Sequence, residues 1–213
     1  MYDYILFDLD GTLTDPAEGI TNSVAYALEK FGIIVEDKKT LYKFIGPPLV
    51  VAFSEYYGFS KEDSEKATAY YRETFSAKGL YENKVYDGIV NFLKMLKKSG
   101  KKLILATSKP EKFAKEIMRY FDLAKYFDFI CGATFDSTRN TKDKVITYAL
   151  EKAGITDKRK AVMIGDRHHD IDGARINGLD SIGVLYGFGD RDELTKAGAT
   201  YIAENIEDIL NYV

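Results

Sequence analysis

Apolar positions follow two regimes along the chain. Tyr4-Ile5-Leu6-Phe7 is a short unbroken apolar run, the pattern of a strand buried on both faces of a parallel sheet. From Pro16 to about Leu80 the spacing is helical throughout. Ile20, Val24, Ala27, Leu28 and Phe31 recur every three or four residues up to a stop at Gly32, and further helices are expected over 38–45, 49–57 and 61–78. Gly46-Pro47-Pro48 separates the first two of these. From Val85 onward helical stretches alternate with short apolar runs. Helices are expected over 88–99, 110–121, 141–153, 170–177, 191–197 and in a last segment to Tyr212, with strands at 102–106, 127–131, 161–164, 181–184 and 200–203.

Such alternation means βαβ units with right-handed crossovers. The expected fold is α/β: a doubly wound, Rossmann-like parallel-sheet core formed by residues 1–15 and 81–213. An all-helical cap domain, residues 16–80, is inserted after the first strand.

Composition removes several classes of function. Of the 213 residues 46% are hydrophobic and 30% charged, as in a folded globular protein. The net charge of −3 gives no basic field for a nucleic acid polymer or an anionic membrane. Lys94, Lys97, Lys98, Lys101 and Lys102 cluster, and are read as a solvated face. Cys131, the single cysteine, excludes an internal disulfide and is read as a small core residue in a reducing compartment. With no membrane-length apolar run and no basic segment before the first one, the expected location is cytoplasmic.

In a doubly wound sheet ligands gather at the carboxyl ends of the strands. The first strand exits through Asp8 and Asp10, then Gly11 and Thr12. Two carboxylates about 5 Å apart repel by roughly 3 kcal/mol at an effective dielectric near 20. A cation or a shared proton would relieve that cost. The strand at 102–106 exits through Thr107 and Ser108, and the one at 161–164 through Gly165-Asp166-Arg167-His168-His169-Asp170. Converging carboxylates and hydroxyls without a cysteine cluster suit a hard cation, Mg²⁺ above all. Thr107 and Ser108, just before a helix opened by Pro110, suit a phosphate group. Mg²⁺ beside a phosphate site implies phosphoryl chemistry.

On these motifs the chain resembles the haloacid dehalogenase superfamily phosphatases, in the branch typified by phosphoglycolate phosphatase. The family's motifs match Asp8-Leu9-Asp10-Gly11-Thr12, Thr107 and the segment from Gly165-Asp166 to Asp170; its motif lysine matches Lys142, with Lys144 as the alternative. The resemblance implies an Mg²⁺-dependent phosphatase acting on a small phosphorylated metabolite such as phosphoglycolate, a nucleoside monophosphate or a sugar phosphate. Asp8 would be the nucleophile that becomes an aspartyl-phosphate, and Asp10 the acid and base. Thr107, Ser108 and Lys142 would hold the phosphoryl oxygens. Mg²⁺ would be held by Asp8, the Asp10 main-chain carbonyl and Asp166, with Asp170 behind them.

Specificity is expected from the cap, with Gly46 and Pro47 in the loop that reaches the substrate. The cap tyrosines (Tyr26, Tyr42, Tyr56, Tyr57, Tyr70 and Tyr71) are expected mostly in its core. His168 and His169 are read as solvent-facing or peripheral to the site, and Arg167 and Arg175 as partners in surface ion pairs. A phosphomutase on the same scaffold and a phospho-acceptor receiver module are the alternatives. Monomer and homodimer are both compatible with the sequence.

Overall fold

Tyr4–Phe7 forms β1, and the computed structural model, which describes residues 1–136 and 138–213, builds the sheet outward from it. After β1 the chain enters a helical segment. It comprises α1 (Ala17–Glu29), a 3-10 turn (Lys38–Phe44), α2 (Leu49–Tyr57), α3 (Lys61–Thr74) and a π-turn (Phe75–Gly79). Then follow α4 (Ile89–Lys98), β2 (Lys102–Pro110), α5 (Glu111–Tyr120), β3 (Phe129–Ala133), α6 (Lys142–Ala153) and β4 (Ala161–Gly165). The chain finishes with α7 (His168–Asn177), β5 (Asp180–Val184), α8 (Arg191–Ala197), β6 (Tyr201–Ala203) and α9 (Ile206–Ile209). No helix among the described residues is long and apolar enough to cross a membrane.

The chain divides into two units, residues 1–14 with 85–213, and residues 15–84. The second crossing lies four residues beyond the expected one. The reason is local: Leu80 is fully buried, the Glu82 carbonyl accepts from Gly19 N–H, and the Glu82 carboxylate accepts from the Asn22 side chain. These ties fasten the segment to α1.

In the core unit the sheet order is β3-β2-β1-β4-β5-β6, and the strands pair in parallel. Successive strands are added on one side of β1, then on the other, so the topological switch lies beside β1, where ligands bind in this architecture. Side chains of a strand alternate between faces. Leu6, Ile104, Ala106, Cys131 and Met163 pack under Val145, Ile146 and Ala149 of α6 and Ala174 of α7. Phe7 goes the other way, edge-on to Phe92 of α4 at 6.1 Å and to Phe127 at 5.9 Å. With both faces covered, the strands can be apolar runs rather than alternating ones.

The helical unit closes around phenylalanines: Phe44, Phe53 and Phe75 are almost fully buried. The tyrosines depart from expectation. Tyr71 alone of the six is buried, Tyr26, Tyr56 and Tyr57 are half-buried, and Tyr42 and Tyr70 are exposed. A phenol buried without a hydrogen-bond partner is costly, so these rings pack at the edge of the core and keep their hydroxyls near water. Phe44, for example, meets Tyr56 at 5.4 Å. Ser60 caps α3 by accepting from Asp63 N–H.

Candidate active site

Parallel register carries the chemistry to one edge. Phe7 lies opposite Leu105 of β2 and Ile164 of β4, so the residues that follow all three leave the sheet at the same level. On β1 these are Asp8 and Asp10, on β2 Thr107 to Lys109, and beyond β4 Asp166 and Asp170. Asp8 continues the ladder, donating its N–H to Ile164 O at 2.9 Å.

Lys142, on the first turn of α6, reaches this edge from the side. Its Nζ lies 2.7 Å from Asp8 Oδ1 and 2.8 Å from Asp170 Oδ1, and donates to Ala106 O at 3.1 Å. Asp8, Asp166 and Asp170 are all buried, and each offers a carboxylate oxygen within 4.8 Å of those of the other two. Asp170 Oδ2 accepts from Arg167 N–H at 3.1 Å, which fixes the carboxylate at the start of α7. Thr107 is buried, and its hydroxyl accepts from Lys109 N–H at 3.2 Å, whereas Ser108 is half-buried. Lys144 is exposed.

Burial dominates the electrostatics. It pushes Asp166 well above the usual carboxylate range, helped by the neighbouring charges of Asp170 and Asp8. It pushes Asp170 up to about 6, against the pull of Lys142. Burial lowers Lys142, but Asp170 and Asp8 more than reverse this and hold the ammonium above its ordinary value. Of the three clustered acids, Lys142 pairs with two, Asp8 and Asp170. Asp8 Oδ1 and Asp170 Oδ1 are buried and, among the described residues, meet only the Lys142 ammonium, which leaves each oxygen a spare lone pair. An all-oxygen set with excess negative charge and unspent lone pairs fits a hard divalent cation.

Three features escape the reading of strand ends given above. Lys109 is buried, with Nζ 2.8 Å from Asp10 Oδ2. The loop after β5, Tyr186-Gly187-Phe188-Gly189, folds back on Asp166, whose Oδ2 accepts from Phe188 N–H at 2.8 Å. Tyr186 OH donates to Thr12 O at 3.1 Å, and Thr12 Oγ1 approaches Asp166 Oδ1 at 3.5 Å. A Cβ on Gly187 would fall 2.4 Å from both Asp166 Cβ and Gly11 O, so only glycine permits this approach. A signal for it exists: Gly-x-Gly just past a strand, the same rule that picked out the other exits.

His168 stands apart from the acid cluster. Its Nδ1 lies 3.2 Å from Asp172, while Arg167 pairs with Glu193 and Arg175 with Asp172. His169 is half-buried, its ring tilted against that of His168 at 3.8 Å between centroids. Gly46 and Pro47 belong to the helical unit, in the turn between the 3-10 segment and α2, where Gly46 takes φ 108°.

Known proteins match most of the chain. The haloacid dehalogenase-like hydrolase family matches residues 5–184. A Pseudomonas aeruginosa protein named 5'-nucleotidase is 47% identical over 205 residues, covering 96% of this chain and 92% of that one. A Mycobacterium tuberculosis protein named tyrosine-protein kinase PtkA is 38% identical, covering 93% of this chain and 67% of that one. The crystal structure of a predicted phosphatase from Clostridium acetobutylicum superposes with a TM-score of 0.96. It has 53% sequence identity and covers 99% of this chain and 97% of that one.

Proposed function

The chain belongs to the haloacid dehalogenase-like hydrolases and is a phosphoric monoester hydrolase, and from this premise we propose its substrate class and mechanism. The substrate is a small phosphate monoester, a nucleoside 5'-monophosphate ahead of a sugar phosphate or phosphoglycolate. The protein at 47% identity that is named 5'-nucleotidase favours that order. The observation that carries the mechanism is the placing of Lys142 between Asp8 and Asp170 with Asp166 alongside.

Asp8 attacks phosphorus, and the P–O bond to the leaving alcohol breaks as an aspartyl-phosphate forms on Asp8. Asp10 delivers a proton to the departing oxygen, then takes one back from the water that hydrolyses the intermediate. Burial raises the affinity of Asp10 for that proton, with Lys109 pulling the other way. Thr107 Oγ1 and the Lys142 ammonium face the non-bridging oxygens, where charge spreads in the transition state, with Ser108 beside them. The residues that would hold Mg²⁺ are Asp8, Asp166 and the Asp10 main-chain carbonyl. Asp170 orients Lys142 from behind. Bound Mg²⁺ would neutralise the approach of a carboxylate to an anionic phosphoryl group.

Gly46 and Pro47 of the helical unit are proposed to read the leaving group. The enzyme is proposed to work in the cytoplasm, as a monomer or homodimer, without a nucleic acid polymer or membrane as partner.

A second reading passes the phosphoryl group to an acceptor other than water, as in a phosphomutase. The relative named tyrosine-protein kinase favours keeping it in view. Screening phosphate monoesters with and without Mg²⁺, using phosphate release as readout, tests the proposal. Wild type should release phosphate in an Mg²⁺-dependent way, and Asp8→Asn should lose activity by ~10³-fold or more. Full activity in Asp8→Asn would refute the nucleophile. Transfer or isomerisation without phosphate release would select the second reading.

A further inference from the structure

Lys109 is a buried cation to which the steps just given assign no contact with the substrate. It is 8% exposed, and its Nζ lies 2.8 Å from Asp10 Oδ2. The other oxygen, Asp10 Oδ1, is buried and accepts no hydrogen bond among the described residues. A lysine is buried at the cost of desolvating its charge and freezing a flexible four-carbon stem, so its partner defines its use.

The main chain is shaped to deliver this side chain. Register between β2 and β3 slips at this point: Thr107 lies opposite Gly132, and Pro110, three residues later, opposite Ala133. Irregularities of this kind re-aim side chains next to active sites. Lys109 N–H is tied to Thr107 Oγ1 at 3.2 Å, and Gly132 N–H donates to Glu111 Oε2 at 3.3 Å. Gly132 leaves room for the slip, because a Cβ there would lie 2.7 Å from Lys109 O and 2.6 Å from Glu111 Cα. The segment carrying Lys109 is therefore fastened on both sides.

We propose that Lys109 is a positioning residue for Asp10: it holds Oδ2 and thereby presents Oδ1 to the leaving oxygen of the ester. The inference rests on the phosphatase reading and names which atom does the acid–base work. With an ammonium against Oδ2, the transferable proton resides on Oδ1. It moves to the ester oxygen as the P–O bond breaks and phosphorus bonds to Asp8. In the second half-reaction water gives a proton back to Oδ1 as its oxygen bonds phosphorus and the Asp8–phosphorus bond breaks. Holding one oxygen removes rotation of the carboxylate, so the other need not search for its geometry.

The leaving group separates this role from a structural one. An alkyl alcohol departs only with a proton, whereas p-nitrophenolate departs without one. Lys109→Met should lower kcat/KM for an alkyl phosphate that the wild type hydrolyses by ~10–100-fold, a part of what a general acid contributes, and fall far less on p-nitrophenyl phosphate. Lys109→Arg should restore part of the alkyl rate. Adding Lys109→Met to Asp10→Asn should cost the alkyl substrate nothing further. Should Lys109→Met not fold, Lys109→Leu, which likewise cannot donate to Oδ2, replaces it in the same comparison.

Equal losses on the two esters would overturn the proposal and assign Lys109 to structure, and so would no loss on either. A shared rise in KM at unchanged kcat would overturn it in favour of direct phosphate binding. Wild type that releases phosphate from no ester of the screen would instead overturn the phosphatase reading itself.

Discussion

The two units bury different things. Every buried charged side chain among the described residues (Asp8, Lys101, Lys109, Lys142, Asp166 and Asp170) belongs to the α/β unit. The helical unit buries hydroxyls instead: Thr21, Ser23, Ser64 and Thr68. Three of these are satisfied inside their own helices, Thr21 by Ala17 O, Ser23 by Gly19 O and Thr68 by Ser64 O. Burying a hydroxyl bonded to its own helix adds little strain, whereas three clustered acids with one lysine between two of them carry a desolvation cost. The contrast places the buried charges in the α/β unit, and shows the helical unit to be built on aromatic packing.

Four substitutions sharpen or break this contrast. The largest effect is expected for Lys142→Met, which leaves Asp8 and Asp170 facing each other without a cation. Breaking a buried ion pair costs about 3–5 kcal/mol. Hydrolysis of alkyl and aryl phosphates should fall together, by ~10²-fold or more. An unchanged melting temperature with unchanged kinetics would show that the charge cluster is not what the α/β unit is built around. Next comes Phe53→Ala in the helical unit, where Phe53 packs 5.0 Å from Phe44 and 5.9 Å from Phe59. The lost volume should cost about 3–5 kcal/mol in denaturant unfolding. Turnover of p-nitrophenyl phosphate per folded molecule should survive, and its disappearance would break the division of labour.

A pH effect of intermediate size is expected at His169. Burial, with His168 beside it, pushes this imidazole down to about 4, from about 6.5 in an unfolded chain. The folded protein therefore binds fewer protons than the unfolded chain between those values, and stability must fall as pH drops from about 6.5 towards 4. His169→Asn should flatten that fall in thermal melts recorded across the window. Parallel profiles for the two proteins would refute it. The smallest effect belongs to Ser60→Ala, which removes the N-cap of α3. A loss of about 1 kcal/mol should lower the melting temperature by about 2–4 °C and leave kcat and KM where they are.

Much of this architecture is legible in the pattern of residues. The helices expected over 49–57 and 191–197 are found as Leu49–Tyr57 and Arg191–Ala197. Elsewhere neighbours in space moved the boundaries. The strand expected to end at Ala106 runs to Pro110, because the segment beyond it still finds a partner at Ala133 of β3. The last helix, expected to reach Tyr212, stops at Ile209. Tyr212 leaves it to stack on Tyr201 at 4.5 Å and to donate to Ile202 O at 3.4 Å. In the site, the acids and Thr107 could be picked from strand ends, and Lys142 from a family motif. The hold of Phe188 N–H on Asp166 could not, since every non-proline residue carries an N–H and only folding decides which one meets a carboxylate.

The residue order by itself settled which acids follow the strands and the order in which strands and helices alternate, because hydrophobic periodicity acts within one element. It left open which charge answers which. That Lys142 lies between Asp8 and Asp170, and that Lys109 meets Asp10, was decided by the tertiary structure. Coulomb attraction and close packing depend on distance in space and take no account of separation along the chain.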